Sequence, residues 1–279
     1  RESRISAWFL DSRLRGNDGK GGAIKVIQTA IWDGLSRELD AWRGAGISAA
    51  LWWRDDDASD VTSQLERLLD LSGETSTPAA LAVIPLKAQP RLADFLASRS
   101  HVSVLQHGFR HINHAPNGAK KSEFGPRRLH DKMLSELAEG HRLMDRFANA
   151  LPVLAPPWNR IDPNLLAALP GAGIAGLSCY GPRVCAAPAP GLRQVNAHVD
   201  PINWRGGRRF IGAGAVVEQV AGHLSARRTG LVDACEPTGF LTHHLAHDEN
   251  FWEFFGDFLA LTHDHPAVRW IAADEAFGQ

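Results

Sequence analysis

The sequence predicts an α/β fold with a mainly parallel sheet and crossover helices. Short apolar runs of strand length alternate with segments of helical periodicity over most of the 279 residues. Polar residues directly follow four of these runs, and in a parallel barrel the carboxyl ends of all strands lie on one face. The chain shows no repeat and no internal linker, so one folded domain is predicted.

The first 22 residues differ in composition from the rest of the chain. The segment 13–22 is polar and rich in glycine, and it shows no hydrophobic period. Such a composition supplies no core-facing side to a helix or a strand. We therefore predict a flexible segment at 1–22 and a single domain at 23–279.

The elements of this domain follow from the spacing of apolar residues. The first helix is indicated by four residues at helical spacing, Ile31, Leu35, Leu39 and Trp42. Asp60 is expected to cap the second helix. Further helices are predicted at 91–99, 127–150, 163–169, 215–227 and 250–262. Strands are predicted at 47–53, 79–84, 101–105, 153–155, 173–178, 192–197, 239–242 and 268–271.

Composition excludes several classes of protein. Lys+Arg 30 against Asp+Glu 31 gives a net charge of -1, and no basic run is interleaved with aromatic residues, so a nucleic-acid partner is not expected. No apolar run is long enough for a membrane span. Cys179, Cys185 and Cys235 form no C-x-x-C pair, which argues against a disulfide framework or a zinc knuckle. Together with the lack of a signal-peptide pattern, this favours the cytoplasm.

Three adjacent carboxylates, Asp55, Asp56 and Asp57, follow the first apolar run. If all three were buried and charged they would repel one another, and a bound cation would remove that conflict. The alternative is a solvated loop in which Asp57 or Asp60 caps a helix. The small residue Ala58 favours Asp56-Asp57 as the functional pair, and Asp55-Asp56 is the rival assignment.

His107 and His111 form a second candidate group. Histidines at i and i+4 face the same side of one helical turn and can reach one metal ion. Their position after a strand and the intervening Gly108 favour ligation over coincidence. Two histidines and one carboxylate leave coordination positions open, as in a catalytic metal site.

Three further segments carry polar or aromatic residues after a strand. His243 and His244 can supply an acid–base group, with Asp200 as a candidate orienting carboxylate. We assign substrate contacts to five residues, Trp158, Arg160, Asp200, Trp204 and His244. Other chemistries lack their signatures, because the sequence contains no G-x-S-x-G elbow, no P-loop and no G-x-G-x-x-G opening a helix.

Taken in order, these segments resemble the NodB-homology polysaccharide deacetylases. The resemblance covers about residues 47–245, and its first two motifs match better than its last three. The matching segments are Asp56-Asp57, His107 to His111, Ala155 to Trp158, Asp200 to Trp204 and Leu241 to His243. The resemblance implies a distorted, seven-stranded (β/α) barrel and an enzyme that removes acetyl groups from N-acetylated sugars.

The resemblance also implies roles for individual residues. Asp56 would be the general base, and His243 would be the general acid, with His244 as the alternative. Asp57, His107 and His111 would bind a divalent metal, for which zinc is the expected ion and cobalt or nickel are the alternatives.

The chain departs from the family pattern at its wall segment. Ala155 stands where the family has an arginine, and Arg160 is the candidate that acts in its place. Two other functions stay open: a non-catalytic carbohydrate-binding protein on the same barrel, and an amidohydrolase of a small amide. The oligomeric state is not indicated.

Overall fold

The computed structural model describes the backbone of residues 20–278 and the side chains of residues 31–278. The first helix begins at Lys20, inside the segment 1–22 for which the sequence predicts flexibility. For residues 1–19, which lie outside the described residues, that prediction stays a prediction.

Helices and strands alternate along the described chain. The helices are α1 (Lys20–Gly44), α2 (Ser63–Glu74), α3 (Pro90–Ala97), α4 (His130–Met144), α5 (Ala213–Arg228), α6 (Glu249–Asp264) and α7 (Ala273–Phe277). The strands are β1 (Ala49–Ala58), β2 (Ala79–Val83), β3 (Val102–Gln106), β4 (Ala150–Leu154), β5 (Gly176–Leu177), β6 (Arg193–Gln194), β7 (Ile202–Asn203), β8 (Arg209–Phe210), β9 (Thr238–Thr242) and β10 (Val268–Trp270). Short 3₁₀ turns lie at Pro157–Asn159, Pro163–Ala168, Pro170–Ala172 and His244–Ala246.

The main sheet is parallel throughout and curls into a distorted barrel. Its order runs from β1 through β2, β3, β4 and β5 to β6. β1 also pairs with β9 and, at its amino end, with β10. Beyond β6, Val199 bridges to Phe240 of β9 and so brings the two ends of the curl together. This confirms the predicted mainly parallel (β/α) barrel, whose ring consists of β1 to β6 and β9.

The core is built from the apolar sides of the strands and the helices packed on them. Phe255 of α6 lies against Trp53 of β1, with ring centroids 4.8 Å apart, and against Phe240 of β9 at 4.9 Å. All three side chains are almost fully buried, so α6 fixes two neighbouring strands from outside. No helix in the described part of the chain is long and apolar enough to cross a membrane.

Several predicted element boundaries are wrong for physical reasons. The aspartate triplet lies inside β1, because the strand continues to Ala58. The cap of α2 is Thr62, whose side chain accepts a hydrogen bond from the backbone of Leu65, while Asp60 pairs with Arg91 instead. The helix predicted at 127–150 spans only His130–Met144. The antiparallel hairpin of β7 and β8 is absent from the prediction, because two-residue strands carry too little periodicity to detect.

Candidate active site

The carboxyl ends of β1 and β3 bring one carboxylate and two imidazoles together. The Asp57 Oδ1 atom lies 3.2 Å from Nε2 of His107 and 3.1 Å from Nε2 of His111. The three donor atoms all lie within 4.8 Å of one another. Residues 50 positions apart in sequence therefore form the carboxylate and two-histidine group that the sequence predicts.

The backbone around this group is held in the left-handed region. Asp57, His111, Trp158 and Asn159 have φ values of 75°, 54°, 57° and 56°. They are four of the six non-glycine residues with positive φ in the described chain. Such conformations persist only where the surroundings determine them, and they concentrate at functional sites.

A buried glutamate fixes the loop that carries His111. The carboxylate of Glu123 accepts hydrogen bonds from the backbone N–H groups of Phe109 and Arg110, at 3.1 Å and 2.8 Å. Gly108 lies directly against it with φ of 65°, and a Cβ atom there would come 2.2 Å from Glu123 Oε2 and 2.6 Å from Pro157. The glycine between the histidines is therefore required by close packing as well as by its φ.

His107 is oriented so that its Nε2 atom faces Asp57. Its Nδ1–H donates to the carbonyl oxygen of Ala155 at 2.9 Å, which leaves the Nε2 lone pair available for a cation. Burial by itself lowers the pKa of His107, but the neighbouring carboxylates of Asp56 and Asp57 raise it overall. Burial raises the pKa of Asp57, but the two histidines that face its carboxylate hold it well below its usual range.

These features fit a divalent metal ion. The Asp57 Oδ1 atom is buried and has no partner of hydrogen-bond geometry among the described residues. It faces one imidazole nitrogen of each histidine. An unprotonated nitrogen would direct its lone pair at the negative carboxylate and be repelled. Each nitrogen must therefore carry a proton or bind a cation that the carboxylate also binds. An aspartate oxygen and two histidine nitrogens are a common zinc donor set.

Asp56 is neutralised by an arginine of its own strand. Arg54 and Asp56 lie two residues apart, and the guanidinium contacts both carboxylate oxygens, with Nε 2.9 Å from Oδ1 and Nη2 3.1 Å from Oδ2. Both side chains are buried. The guanidinium also donates to Asn159 Oδ1 at 2.5 Å and to the Ser178 hydroxyl at 2.6 Å. Arg54 thus links the ends of β1 and β5 and the turn after β4.

Asp55 pairs with His244 on the other side of β1. The His244 Nδ1–H donates to Asp55 Oδ1 at 2.5 Å, and Asp55 Oδ2 accepts from the Thr242 hydroxyl at 2.7 Å and the His244 backbone at 2.9 Å. Burial lowers the pKa of His244, but the Asp55 carboxylate raises it overall. The pair fixes the end of β9, which leads into His243.

His243 lies on the open side of the site beside Asp200 and Trp204. Its ring centroid is 4.6 Å from that of Trp204, and its charge lowers the pKa of both Asp57 and Asp200. The Asp200 carboxylate accepts hydrogen bonds from Trp204 Nε1 at 2.7 Å and from the Ile202 backbone at 3.0 Å. Burial nevertheless raises the pKa of Asp200 overall.

Two of the predicted substrate residues lie elsewhere than expected. His244 is buried and bonded to Asp55, so it is unavailable to a substrate, and that assignment is wrong. Arg160 is exposed and donates to the backbone of Lys121, and it forms no ion pair with Asp55, Asp56 or Asp57. Arg54 contacts Asp56 instead. Trp158 does lie at the site, with its ring 4.4 Å from that of His111.

A second group of possible ligands, His198, His223 and Glu236, lies away from this site. His198 Nδ1 accepts a hydrogen bond from the backbone of Gly239 at 2.9 Å, so the neutral ring carries its proton on Nε2. That Nε2 faces Glu236 at 3.2 Å. Burial, then His198 and Arg227, lower the pKa of His223 to about 3. We interpret this group as a buried polar network, because its proton arrangement leaves His198 no free lone pair for a metal.

Comparison with known proteins gives matches to solved structures alone. No family model and no curated protein matches the sequence. A probable polysaccharide deacetylase from Pseudomonas aeruginosa PAO1 aligns with a TM-score of 0.57 and 12% identity, over 82% of this chain and 89% of that one. The peptidoglycan N-acetylglucosamine deacetylase Bc1960 gives 0.53 and 15%, over 84% and 92%. A T48 deacetylase solved with substrate gives 0.50 and 14%, over 83% and 92%. The chain therefore has the polysaccharide-deacetylase fold that its motifs predict.

Substitutions at Asp55 and His244 should have strongly non-additive effects on the free energy of unfolding. Asp55→Asn and His244→Gln should each lower the free energy of unfolding by about 3–5 kcal/mol, because each leaves a buried partner unpaired. The double variant should lose much less than the sum of the single losses. Urea unfolding of all four proteins measures this coupling. The exposed pair Asp60 and Arg91 is the control and should show almost none; additive losses at Asp55 and His244 would contradict the pairing.

Proposed function

We propose that this protein is a metal-dependent hydrolase that removes acetyl groups from N-acetylated sugars. The observation that carries the proposal is the convergence of the Asp57 oxygen and the Nε2 atoms of His107 and His111. This group lies at the carboxyl ends of parallel strands, where the active sites of such barrels occur. The shared fold with polysaccharide deacetylases supports the substrate class.

Asp57, His107 and His111 would hold the metal ion, with zinc the expected ion and cobalt or nickel the alternatives. When bound there, the ion supplies Lewis-acid polarisation of the amide carbonyl and lowers the pKa of a water toward neutrality. The Ala155 carbonyl and the Glu123 carboxylate maintain the orientation of the two histidines.

Asp56 acts as the general base in this proposal. Its carboxylate lies next to the ligand Asp57, and each of its oxygens keeps one lone pair beyond its contact with Arg54. The guanidinium holds both oxygens in fixed positions, so the carboxylate can accept the proton of an attacking water without first reorienting. Arg54 is a positioning residue, because its contacts are to Asp56, Asn159, Ser178 and the Cys179 carbonyl.

His243 acts as the general acid and donates a proton to the leaving amine. Its backbone N–H donates to His247 Nε2 at 3.0 Å, and the Asp55–His244 pair fixes the residue that follows it. Trp204 packs against its ring and is itself bonded to Asp200. These contacts support a defined position of the imidazole beside Trp204, from which it would donate the proton.

Trp158 and Trp204 form two aromatic walls at the mouth of this site. Trp158 lies beside His111, and Trp204 lies beside His243. Flat apolar ring faces pack well against the C–H faces of a sugar ring. A sugar between them would place its N-acetyl group toward Asp57.

Substitutions within the aspartate triplet test the roles separately. Asp56→Asn should keep bound zinc and lower kcat by about 10²–10⁴, because an amide cannot accept the water's proton. Asp57→Asn should lose zinc affinity, because an amide oxygen is a weaker ligand than a carboxylate. Metal analysis of the purified proteins and acetate release from N-acetylated oligosaccharides give the two readouts.

If Asp57→Asn binds zinc normally and Asp56→Asn does not, the rival Asp55-Asp56 assignment is correct. Zinc binding without any acetate release by the wild-type protein would instead favour a carbohydrate-binding protein or a hydrolase of other amides.

Substitution of Arg54 should lower turnover without loss of bound metal. Arg54→Lys keeps the positive charge but cannot contact both Asp56 oxygens and Asn159 together, so kcat should fall about tenfold or more with little change in KM. Zinc content should stay at the wild-type level. The matched control is Arg67→Lys, which alters an exposed bidentate pair with Glu249 and should leave kcat unchanged. An unchanged kcat in Arg54→Lys would exclude a positioning role.

A further inference from the structure

Two segments that border the site carry a concentration of positive charge. The first is the β3–α4 loop, residues 107–129, which contains five lysine and arginine residues against one glutamate. The second is the β7–β8 hairpin, residues 202–210, which contains three arginines and no acidic residue. The whole chain has a net charge of -1, so the acidic residues that balance these cations lie elsewhere.

Both segments are in direct contact with the proposed catalytic residues. His111 belongs to the β3–α4 loop and faces Asp57. Trp204 belongs to the β7–β8 hairpin, and its ring contacts that of His243. Arg208 lies over the same tryptophan, with its guanidinium carbon 6.0 Å from the ring centroid. The two segments therefore lie on both sides of the place where a sugar would bind, and Arg208 lies directly beside the proposed aromatic wall Trp204.

Most of these cations have no acidic partner. Glu123 is buried and bonded to backbone N–H groups, and Arg128 pairs with Glu136. Within residues 31–278, no carboxylate lies within 4.0 Å of the remaining basic groups of the two segments, which are Arg110, Lys120, Lys121, Arg127, Arg205, Arg208 and Arg209. All seven are exposed. An exposed cation with no partner keeps its full attraction for an anionic ligand.

An open cavity of about 360 Å³ lies between the β3–α4 loop and the turn after β4. Lys120 and Arg160 line it, together with Asn159 and Cys179. Asn159 and the Cys179 carbonyl both accept hydrogen bonds from Arg54, so the cavity begins directly behind the Arg54–Asp56 pair. It offers cationic walls for a sugar unit next to the one that is deacetylated.

From these observations we infer that the substrate is an acidic N-acetylated glycan, one that carries carboxylate groups on units neighbouring the acetylated sugar. The inference rests on the proposed function for the position of the reacting sugar. Arginine forks bind carboxylates through two parallel hydrogen bonds, and a neutral glycan offers these cations no such partner. The charged loops thus favour an acidic chain over a neutral one at the same catalytic group.

The test compares two hexasaccharides that share the N-acetyl group. One alternates glucuronate with N-acetylglucosamine, and the other contains N-acetylglucosamine alone. Calorimetric titration of the zinc-loaded full chain at roughly 0.05 M salt should show the acidic hexasaccharide binding about tenfold more tightly, and the difference should shrink at about 0.5 M salt. Arg205→Gln/Arg208→Gln should abolish most of that preference and lower affinity for the neutral hexasaccharide far less than affinity for the acidic one.

The matched control is Arg37→Gln/Arg43→Gln, which removes two exposed charges from α1. The carboxyl end of this helix leads into the start of β1, at the opposite end of the barrel from the site. The control should keep the wild-type preference. If the wild-type protein binds the two hexasaccharides equally, or binds neither, the inference is wrong. A preference that the Arg205/Arg208 variant retains also overturns it, as does tighter binding of a hexanucleotide than of the acidic glycan.

Acetate release from both hexasaccharides separates this inference from the proposed function. Hydrolysis of the neutral hexasaccharide without preference for the acidic one would overturn the inference and leave the deacetylase proposal intact. Preferential binding of the acidic hexasaccharide without acetate release from either would support the charge selection and contradict the deacetylase activity.

Discussion

Each of the three adjacent carboxylates at the end of β1 has a positive partner of its own, and the rest of the site depends on this division. Asp55 is bonded to His244, Asp56 to Arg54, and Asp57 to the two histidines that would share a metal ion with it. Three adjacent charges of one sign, two of them buried, would otherwise repel one another strongly. Because the partners come from β9, β1 and the loop after β3, the triplet also ties these strand ends together. The charge pairing and the barrel geometry therefore stabilise the same arrangement.

Periodicity and spacing were sufficient to predict the parallel sheet and the carboxylate and two-histidine group, and the resemblance of the motifs to a known family supplied the barrel. Alternating apolar runs specify a parallel sheet, and strand ends of a parallel sheet meet on one face. His107 and His111 could be identified because a four-residue spacing and a glycine between them suit a shared ligand. The end of β1 was misplaced, because buried ion pairs allow aspartates to continue a strand that hydrophobicity alone would end at Trp53. Partners distant in sequence, such as His244 for Asp55, leave no local signal.

The assignments that failed concern which way a side chain faces. His243 and His244 are neighbours, and His244 faces away from the site because it is buried and bonded to Asp55. Arg160 was selected for its nearness to the family's wall position, while Arg54 had a stronger signal in the sequence. It is a charged residue within an apolar run, two residues before Asp56, and residues at i and i+2 of a strand share a face. The concentration of positive charge in the two loops was also missed, because the net charge of the whole chain adds acidic and basic residues from all parts of the surface.

Anomalous diffraction at the zinc edge, from crystals of the full chain grown with zinc, tests the central claim most directly. We expect one strong peak about 2.0–2.2 Å from an Asp57 oxygen and from the Nε2 atoms of both His107 and His111. Such a peak would show that the close approach of these three groups is a metal site. A strong peak between His198, His223 and Glu236 with none at Asp57, or zinc bound only at surface histidines, would contradict it.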